Sequence, residues 1–143
     1  MKNIRLKYFD LSLPAITALR ECLNAVEKSG LEKALLELVY LRVSQINGCG
    51  YCLNLHAKAL REAGETNARI DMLAGWKVSA CYSEPERAAL AWAESLTAIT
   101  VDGGSDAAFA QLKAFFTDAQ ISDLTIAIAN MNALNRIAIS MRV

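Results

Sequence analysis

Apolar residues recur at spacings of three and four along most of this chain, which is the period of a helix with one buried face. Ile16, Leu19 and Leu23 follow this spacing near the start, and Ala89 and Trp92 follow it further on. Alternating apolar and polar residues, the pattern of a half-buried strand, are nearly absent. Apolar residues make up 54% of the chain and aromatic residues only 7%, so the surplus lies in Ala, Leu and Ile, which suits helices. The sequence therefore predicts an all-α fold.

Residues that start and stop helices divide the chain into six or seven helices joined by short connections. The predicted segments are 12–29, 31–46, 49–64, 66–73, 83–102, 105–116 and 117–141. The residues expected to cap their amino-terminal ends are Ser12, Thr66, Ser83, Ser105 and either Thr117 or Asp118. Glu86 follows Ser83 by three residues, which is the spacing of a capping box.

The chain has 143 residues, which fits a single helical domain over residues 1–143. A chain of this size buries roughly two-thirds of the surface that its unfolded form exposes, so it needs neither a disulfide nor a metal in order to fold. The four cysteines are therefore available for another purpose. Because 15 Lys and Arg balance 15 Asp and Glu, no broad surface for nucleic acid is expected. The apolar surplus instead suits assembly into a homo-oligomer.

The first residues do not form an export signal, because their charged start is followed by Tyr8, Phe9 and Asp10 rather than by an unbroken apolar run. No stretch approaches the roughly 18 apolar residues of a membrane span. We therefore expect a cytoplasmic protein that does not enter a membrane. In that reducing compartment, a close pair of cysteines is typically catalytic or metal-binding rather than a structural disulfide.

The segment 47–56 carries Cys49, Cys52 and the one histidine of the chain, His56. Around a helix axis Cys52 lies about 60° from Cys49 and His56 about 20° from it, so the three share one face. Two cysteines three residues apart at the start of a helix have a Cα separation that a disulfide tolerates. Cys49 and Cys52 can therefore cycle between dithiol and disulfide, beside a histidine that exchanges a proton near neutral pH.

The helix break at Asn47 and Gly48 places both sulfurs in the first turn of the next helix. Unpaired backbone N–H groups and the positive end of the helix dipole stabilise a thiolate there. Both effects lower the pKa of a cysteine. The segment thus combines a nucleophile, a partner thiol and a proton shuttle.

A structural zinc site is the main alternative for the cysteine pair, since Cys-x-x-Cys also binds zinc. The chain has one His and no second Cys-x-x-Cys, so the remaining ligands would have to come from the distant Cys22 or Cys81. We therefore expect no metal. We interpret Cys22 and Cys81 as small buried apolar residues.

The residues around the cysteine pair also form a signature at specific spacings. In chain order these residues are Glu37, Ser44, Gln45, Ile46, Asn47, Gly48, Cys49, Gly50, Tyr51, Cys52 and His56. Together with Trp76 and the segment 83–93, they resemble the alkyl hydroperoxidase D-like branch of the carboxymuconolactone decarboxylase family. The similarity covers roughly residues 30–100, and a less diagnostic likeness continues in Asn130, Asn132, Asn135 and Arg136.

This resemblance implies all-helical subunits that assemble as trimers or hexamers, and it implies a role for four side chains. Cys52 would attack the peroxide and pass through a sulfenic acid, while Cys49 would donate a proton and close the disulfide. Glu37 and His56 would relay the proton away from the thiols. Glu37 stands among leucines, so if its side chain faces inward its pKa should rise toward that of a useful base.

The resulting hypothesis is a thiol-dependent peroxidase or disulfide reductase that acts on hydroperoxides. A dithiol reductant of the dihydrolipoamide type would reset it, and no organic cofactor is required. One alternative is a redox-responsive binding module, in which the disulfide switches association with a partner. Another is a lyase of the decarboxylase type, which has no need of a cysteine pair. The long form of the family carries two related helical units in one chain, so here self-association would supply the missing neighbour.

Overall fold

The computed structural model describes residues 3–143, apart from the side chain of Asp102, and this part of the chain is helical with no β-strand. The prediction of an all-α fold is confirmed. The helices are α1 (Tyr8–Leu11), α2 (Leu13–Glu27), α3 (Lys33–Asn47), α4 (Gly50–Glu62), α5 (Asn67–Met72), α6 (Glu84–Thr97), α7 (Ile99–Asp102), α8 (Asp106–Lys113) and α9 (Asp118–Met141). A 3-10 helix over Leu73–Val78 joins α5 to α6.

The predicted number of six or seven helices is wrong, because residues 3–143 contain nine α-helices. The seven predicted segments correspond to α2 through α6, α8 and α9. The two additional helices, α1 and α7, have four residues each, too few to show a hydrophobic period. The segment predicted over 83–102 is interrupted at Ala98, whose backbone leaves the helical region before α7 begins.

Helix α3 lies at the centre of the molecule and contacts α4, α6 and α9. Its buried side chains include Leu36, Val39 and Val43, which pack in one cluster with Leu124 and Ile128 of α9. Burying each aliphatic side chain of this size stabilises the fold by about 1.5–3 kcal/mol. The helix that carries Glu37 is therefore held by packing on several sides, and it positions the segment that follows it.

Four of the predicted caps are confirmed. The side chains of Thr66, Ser83, Ser105 and Thr117 each accept a backbone N–H from the first turn of the following helix. The pairs formed by Ser83 with Glu86 and by Thr117 with Gln120 are complete capping boxes. Ser12 occupies the capping position of α2, but its side chain makes no capping hydrogen bond.

The longest helix, α9, has 24 residues and packs along α2, α3 and α6. Its buried face combines apolar residues with three asparagines, Asn130, Asn132 and Asn135. Within residues 3–143, neither this helix nor any other is both long and apolar enough to cross a bilayer.

Candidate redox site

The turn between α3 and α4 is fixed by backbone hydrogen bonds. Gly48 has a φ of 70°, a left-handed conformation that glycine adopts without a steric penalty. The N–H of Gly48 donates to the carbonyl of Gln45 at 3.3 Å, and the N–H of Cys49 donates to the carbonyl of Ser44 at 3.1 Å. This pair of bonds is a Schellman motif. Helix α3 thus ends at Asn47 and α4 begins at Gly50, with only Gly48 and Cys49 between them.

Cys49 is the N-cap residue of α4, and its Sγ accepts the backbone N–H of Cys52 at 3.3 Å. The two cysteines are joined by a disulfide, with their Cα atoms 5.3 Å apart. This separation lies within the range expected from the sequence. Both cysteines are buried, and they pack against Ala138 of α9. The predicted close pair in the first turn of a helix is therefore present.

The side chains of Glu37 and His56 meet between α3 and α4. Oε2 of Glu37 lies 2.8 Å from Nδ1 of His56. Only 8% of Glu37 and 6% of His56 are exposed, so the pair is shielded from bulk water. Low polarity strengthens such a hydrogen bond, because little water competes for either partner. The Glu37 side chain therefore faces inward.

The ring of Tyr40 packs against the His56 imidazole, with 5.3 Å between the ring centroids and 49° between the ring planes. Burial, followed by the negative charges of Glu27 and Glu37, raises the pKa of the Tyr40 phenol above its ordinary value. The phenol therefore stays neutral at physiological pH. Tyr40 thus packs against His56 as an uncharged side chain and limits the positions that the imidazole can adopt.

Two cavities adjoin the disulfide. Cys52 and His56 line a cavity of about 120 Å³, whose wall is mainly apolar. Cys49 lines a second and wider cavity of about 510 Å³. Tyr51 and Ala138 contribute to both. The side chain of Tyr51 is half-exposed and lines both cavities.

A network of side-chain amides, buried on α9 and half-buried at Asn47, ties the end of α3 to α9. The side-chain amide of Asn47 donates to Oδ1 of Asn132 at 3.0 Å and to Oδ1 of Asn135 at 3.1 Å. The Asn135 amide donates to Oγ of Ser44 at 3.3 Å. Ser44 also supplies the carbonyl that holds the N–H of Cys49. The repeated asparagines near the carboxyl end were visible in the sequence, but their connection to the cysteine turn was not.

The remaining cysteines differ from the sequence-based interpretation. Cys81 is exposed and Cys22 is half-buried, so the expectation that both are buried apolar residues is wrong. Cys81 follows the 3-10 helix in a surface turn, where its carbonyl accepts a hydrogen bond from Arg69. In the described part of the chain, no three His, Cys, Asp or Glu side chains come together as a metal site would require.

Comparison with known proteins gives matches that extend beyond the cysteine segment. The model of the Carboxymuconolactone decarboxylase family matches residues 13–95. The uncharacterized protein YdfG of Bacillus subtilis is 31% identical over 137 residues, which cover 96% of this chain and 93% of YdfG. A crystal structure from Agrobacterium tumefaciens, of a candidate antioxidant defence protein AhpD, has a TM-score of 0.94 and 38% identity. The alignment covers 98% of this chain and 96% of that chain.

A shorter and more specific match links the chain to alkyl hydroperoxide reductases. The alkyl hydroperoxide reductase AhpD of a Bradyrhizobium species is 48% identical over 48 residues, or 34% of this chain. Those residues make up 26% of that protein, so the chain matches about a quarter of the length of this relative.

Proposed function

Since the chain belongs to the carboxymuconolactone decarboxylase family, we propose that it is a thiol-dependent peroxidase and disulfide reductase that acts on hydroperoxides. The observation that carries this proposal is the position of the Cys49–Cys52 disulfide beside the buried Glu37–His56 pair. A redox-active pair needs two sulfurs that can bond without a large movement and a group that manages their protons. The similarity to proteins named for peroxide reduction supports the same assignment.

In the oxidative half of the cycle, Cys52 is the attacking sulfur. Cys52 lies in the first turn of α4, where the helix dipole favours a thiolate. The thiolate attacks the hydroperoxide, the O–O bond breaks, and Cys52 becomes a sulfenic acid while the alkoxide leaves and takes up a proton. The Cys49 thiol then attacks the sulfenic sulfur, which releases water and forms the disulfide. One hydroperoxide and two thiols thus give an alcohol, water and a disulfide.

Glu37 and His56 act as the proton relay. The imidazole shares a cavity with Cys52, so it can accept the thiol proton and later supply it to the departing alkoxide. The Glu37 carboxylate is held against Nδ1 and stabilises the imidazolium when it forms. This arrangement keeps the proton close to the reacting sulfur without exposing the site to bulk water.

A dithiol then reduces the disulfide and resets the enzyme. The family resemblance points to a donor of the dihydrolipoamide type, and the cycle uses no metal or organic cofactor. A pair that cycles in this way suits a reducing cytoplasm, where small and protein-borne dithiols are maintained.

Self-association is part of the proposal, as a trimer or hexamer. Apolar side chains of α1, α2 and the segment before them remain exposed on the monomer, and these are Ile4, Leu6, Phe9, Leu11 and Leu13. Exposed apolar side chains that are concentrated in one short segment are typical of a contact with another molecule. Native mass spectrometry, or light scattering after gel filtration, tests this assembly directly, and a monomer at micromolar concentration would contradict it.

The activity is tested by following hydroperoxide consumption with a dithiol donor. The Cys52→Ser variant should lose at least 99% of the rate, since the attacking thiolate is removed, while Cys81→Ser should retain it. Cys81 is a fair control because it is the exposed cysteine outside the pair. Mass spectrometry after mild peroxide treatment should show the loss of two hydrogens in the peptide that contains Cys49 and Cys52. Full activity in Cys52→Ser would exclude the assignment.

A further inference from the structure

We propose that the two substrates reach the disulfide through different cavities: the hydroperoxide meets Cys52 in the smaller one, and the dithiol attacks Cys49 from the wider one. This inference rests on the proposed function, and it assigns a separate reductant site to a surface that the oxidative chemistry does not use. The observation behind it is that the two cysteines of one disulfide line different cavities.

The smaller cavity suits a compact hydroperoxide. Its volume of about 120 Å³ lies below the roughly 300 Å³ at which drug-sized ligand sites begin. Aliphatic side chains from three helices form much of its wall, including Leu23, Leu55 and Leu134. Its polar lining groups are those of Tyr8, Arg20, Tyr51 and His56. A small apolar substituent is favoured in such a space, because its burial removes apolar surface from water.

The wider cavity suits a larger reductant. It has a volume of about 510 Å³ and is lined by Gly48, Cys49 and Gly50, together with Ile139 and Arg142 from the carboxyl end of the chain. Both sequence neighbours of Cys49 are glycines, so neither places a side chain over it. A Cβ at Gly48 would meet no other atom within 4 Å, which shows how open this side of the turn is. A dithiol attached to a longer carrier could approach Cys49 here.

Attack at Cys49 makes Cys52 the leaving group. A thiolate of the reductant bonds to the Cys49 sulfur, the Cys49–Cys52 bond breaks, and its electron pair stays on Cys52. The departing Cys52 thiolate lies at the first turn of α4, in the cavity that it shares with His56. The second thiol of the reductant then attacks the reductant sulfur that is bonded to Cys49 and displaces the Cys49 thiolate. The two protons of the dithiol end on Cys49 and Cys52.

The test uses three matched substitutions at half-exposed aliphatic residues. Ile139 (43% exposed) lines only the wider of these two cavities, Leu55 (47%) lines only the smaller, and Ile126 (45%) lines neither. Each is replaced by Trp, which fills space without adding charge. The two half-reactions are measured separately by rapid quenching and thiol alkylation: oxidation of the dithiol enzyme by tert-butyl hydroperoxide, and reduction of the disulfide enzyme by dihydrolipoamide.

The expected result is a crossed pattern. Ile139→Trp should slow reduction about tenfold relative to oxidation, and Leu55→Trp should slow oxidation about tenfold relative to reduction. Ile126→Trp should change neither. Loss of both half-reactions in Leu55→Trp, with none in Ile139→Trp, would show a single entrance and overturn the proposal.

A second measurement does not depend on any variant. The disulfide enzyme is mixed with 2-mercaptoethanol, quenched with acid, and digested for mass spectrometry. The first mixed disulfide should be on Cys49, and a first adduct on Cys52 would overturn the inference. Neither this measurement nor the reductive half-reaction requires peroxide. If the wild-type chain consumed no hydroperoxide, the proposed function would fail, while the site of attack by the reductant could still be determined.

Discussion

Glu37 and His56 stand 19 positions apart on different helices, yet a carboxylate oxygen of the first lies 2.8 Å from Nδ1 of the second. With the shared proton on Nδ1, the imidazole donates to the carboxylate and leaves Nε2 free to accept a proton from a thiol. Because α3 is enclosed on several sides, the carboxylate has little freedom to move away. The contact therefore sets both the orientation of His56 and the nitrogen available for chemistry.

We expect Glu37→Gln to lower the rate of hydroperoxide reduction about 100-fold, which is the lower end of the range for losing a general acid–base component. The amide keeps the size of the side chain but removes the charge that stabilises the imidazolium. The rate constant for oxidation of the dithiol enzyme measures this effect. Glu32→Gln is the control, because Glu32 is exposed at the start of the same helix and its side chain makes no capping bond. Equal rates for the two variants would contradict a role for Glu37 in the relay.

Glu94 should contribute to stability through three donors. Its carboxylate accepts from Nε1 of Trp76 at 2.7 Å and contacts Nη2 of Arg42 at 2.8 Å and Nζ of Lys77 at 2.6 Å. We expect Glu94→Gln to lower the free energy of unfolding by about 1 kcal/mol at pH 7, a value reduced because the carboxylate is partly exposed. Urea denaturation measures the change. Glu62→Gln, which removes the exposed pair with Lys58, should change it by less than about 0.5 kcal/mol.

The contribution of Glu94 should also depend on pH. Burial acts to raise its pKa, but the hydrogen bonds from Lys77, Trp76 and Arg42 outweigh burial and hold the pKa below its usual value. A pKa that is lower in the folded state gives stability that is present above the unfolded pKa, about 4.3, and lost as pH falls through the folded value. The difference between wild type and Glu94→Gln should therefore shrink below about pH 4. A difference that stayed constant down to pH 3 would contradict this account.

Two serines that the sequence predicts as caps should respond differently to alanine. Ser83 accepts the N–H of Glu86 and forms a complete capping box, whereas Ser12 makes no side-chain capping bond. We expect Ser83→Ala to destabilise the protein by about 1 kcal/mol and Ser12→Ala to have almost no effect. Thermal unfolding followed by circular dichroism distinguishes them. Similar losses for both serines would mean that the hydrogen bond in the capping box is not what stabilises α6.

The sequence predicted those features of the site that depend on local spacing. The placement of Cys49 and Cys52 in one helical turn follows from their separation by three residues and from Gly48 before them. The seven longer helical segments follow in the same way from periodicity and capping residues. The helices α1 and α7 could not be predicted, because one turn carries no period.

Contacts between segments that are distant in the sequence could not be predicted from local patterns. The proximity of Glu37 to His56 could be expected only from the family resemblance, since a glutamate in a helix usually faces solvent. The exposure of Cys81 depends on how the turn after the 3-10 helix lies on the surface. The apolar character of a cysteine does not determine the position of that turn. The link from Asn47 to α9 joins residues 85 and 88 positions apart.

That link gives the remaining prediction. Asn135 is fully buried, accepts from the Asn47 amide and donates to Ser44, so Asn135→Leu would remove both hydrogen bonds, although each partner keeps a second one. A hydrogen bond contributes about 0.5–1.5 kcal/mol, and we expect a total loss of about 2 kcal/mol. Because the carbonyl of Ser44 holds the N–H of Cys49, the rate of disulfide formation should fall as well.

Asn130→Leu provides the comparison on the same helix. Asn130 is also buried, but its amide makes one hydrogen bond, to the carbonyl of Leu19, away from the cysteine turn. Asn130→Leu should lower the free energy of unfolding by about 1 kcal/mol and leave the rate of disulfide formation unchanged. Urea denaturation and timed alkylation of the two thiols measure the two effects. If Asn135 positions the cysteine turn, its substitution must slow disulfide formation more than that of Asn130. Equal losses of stability and equal rates of disulfide formation in the two variants would therefore mean that the asparagine network serves only to pack α9.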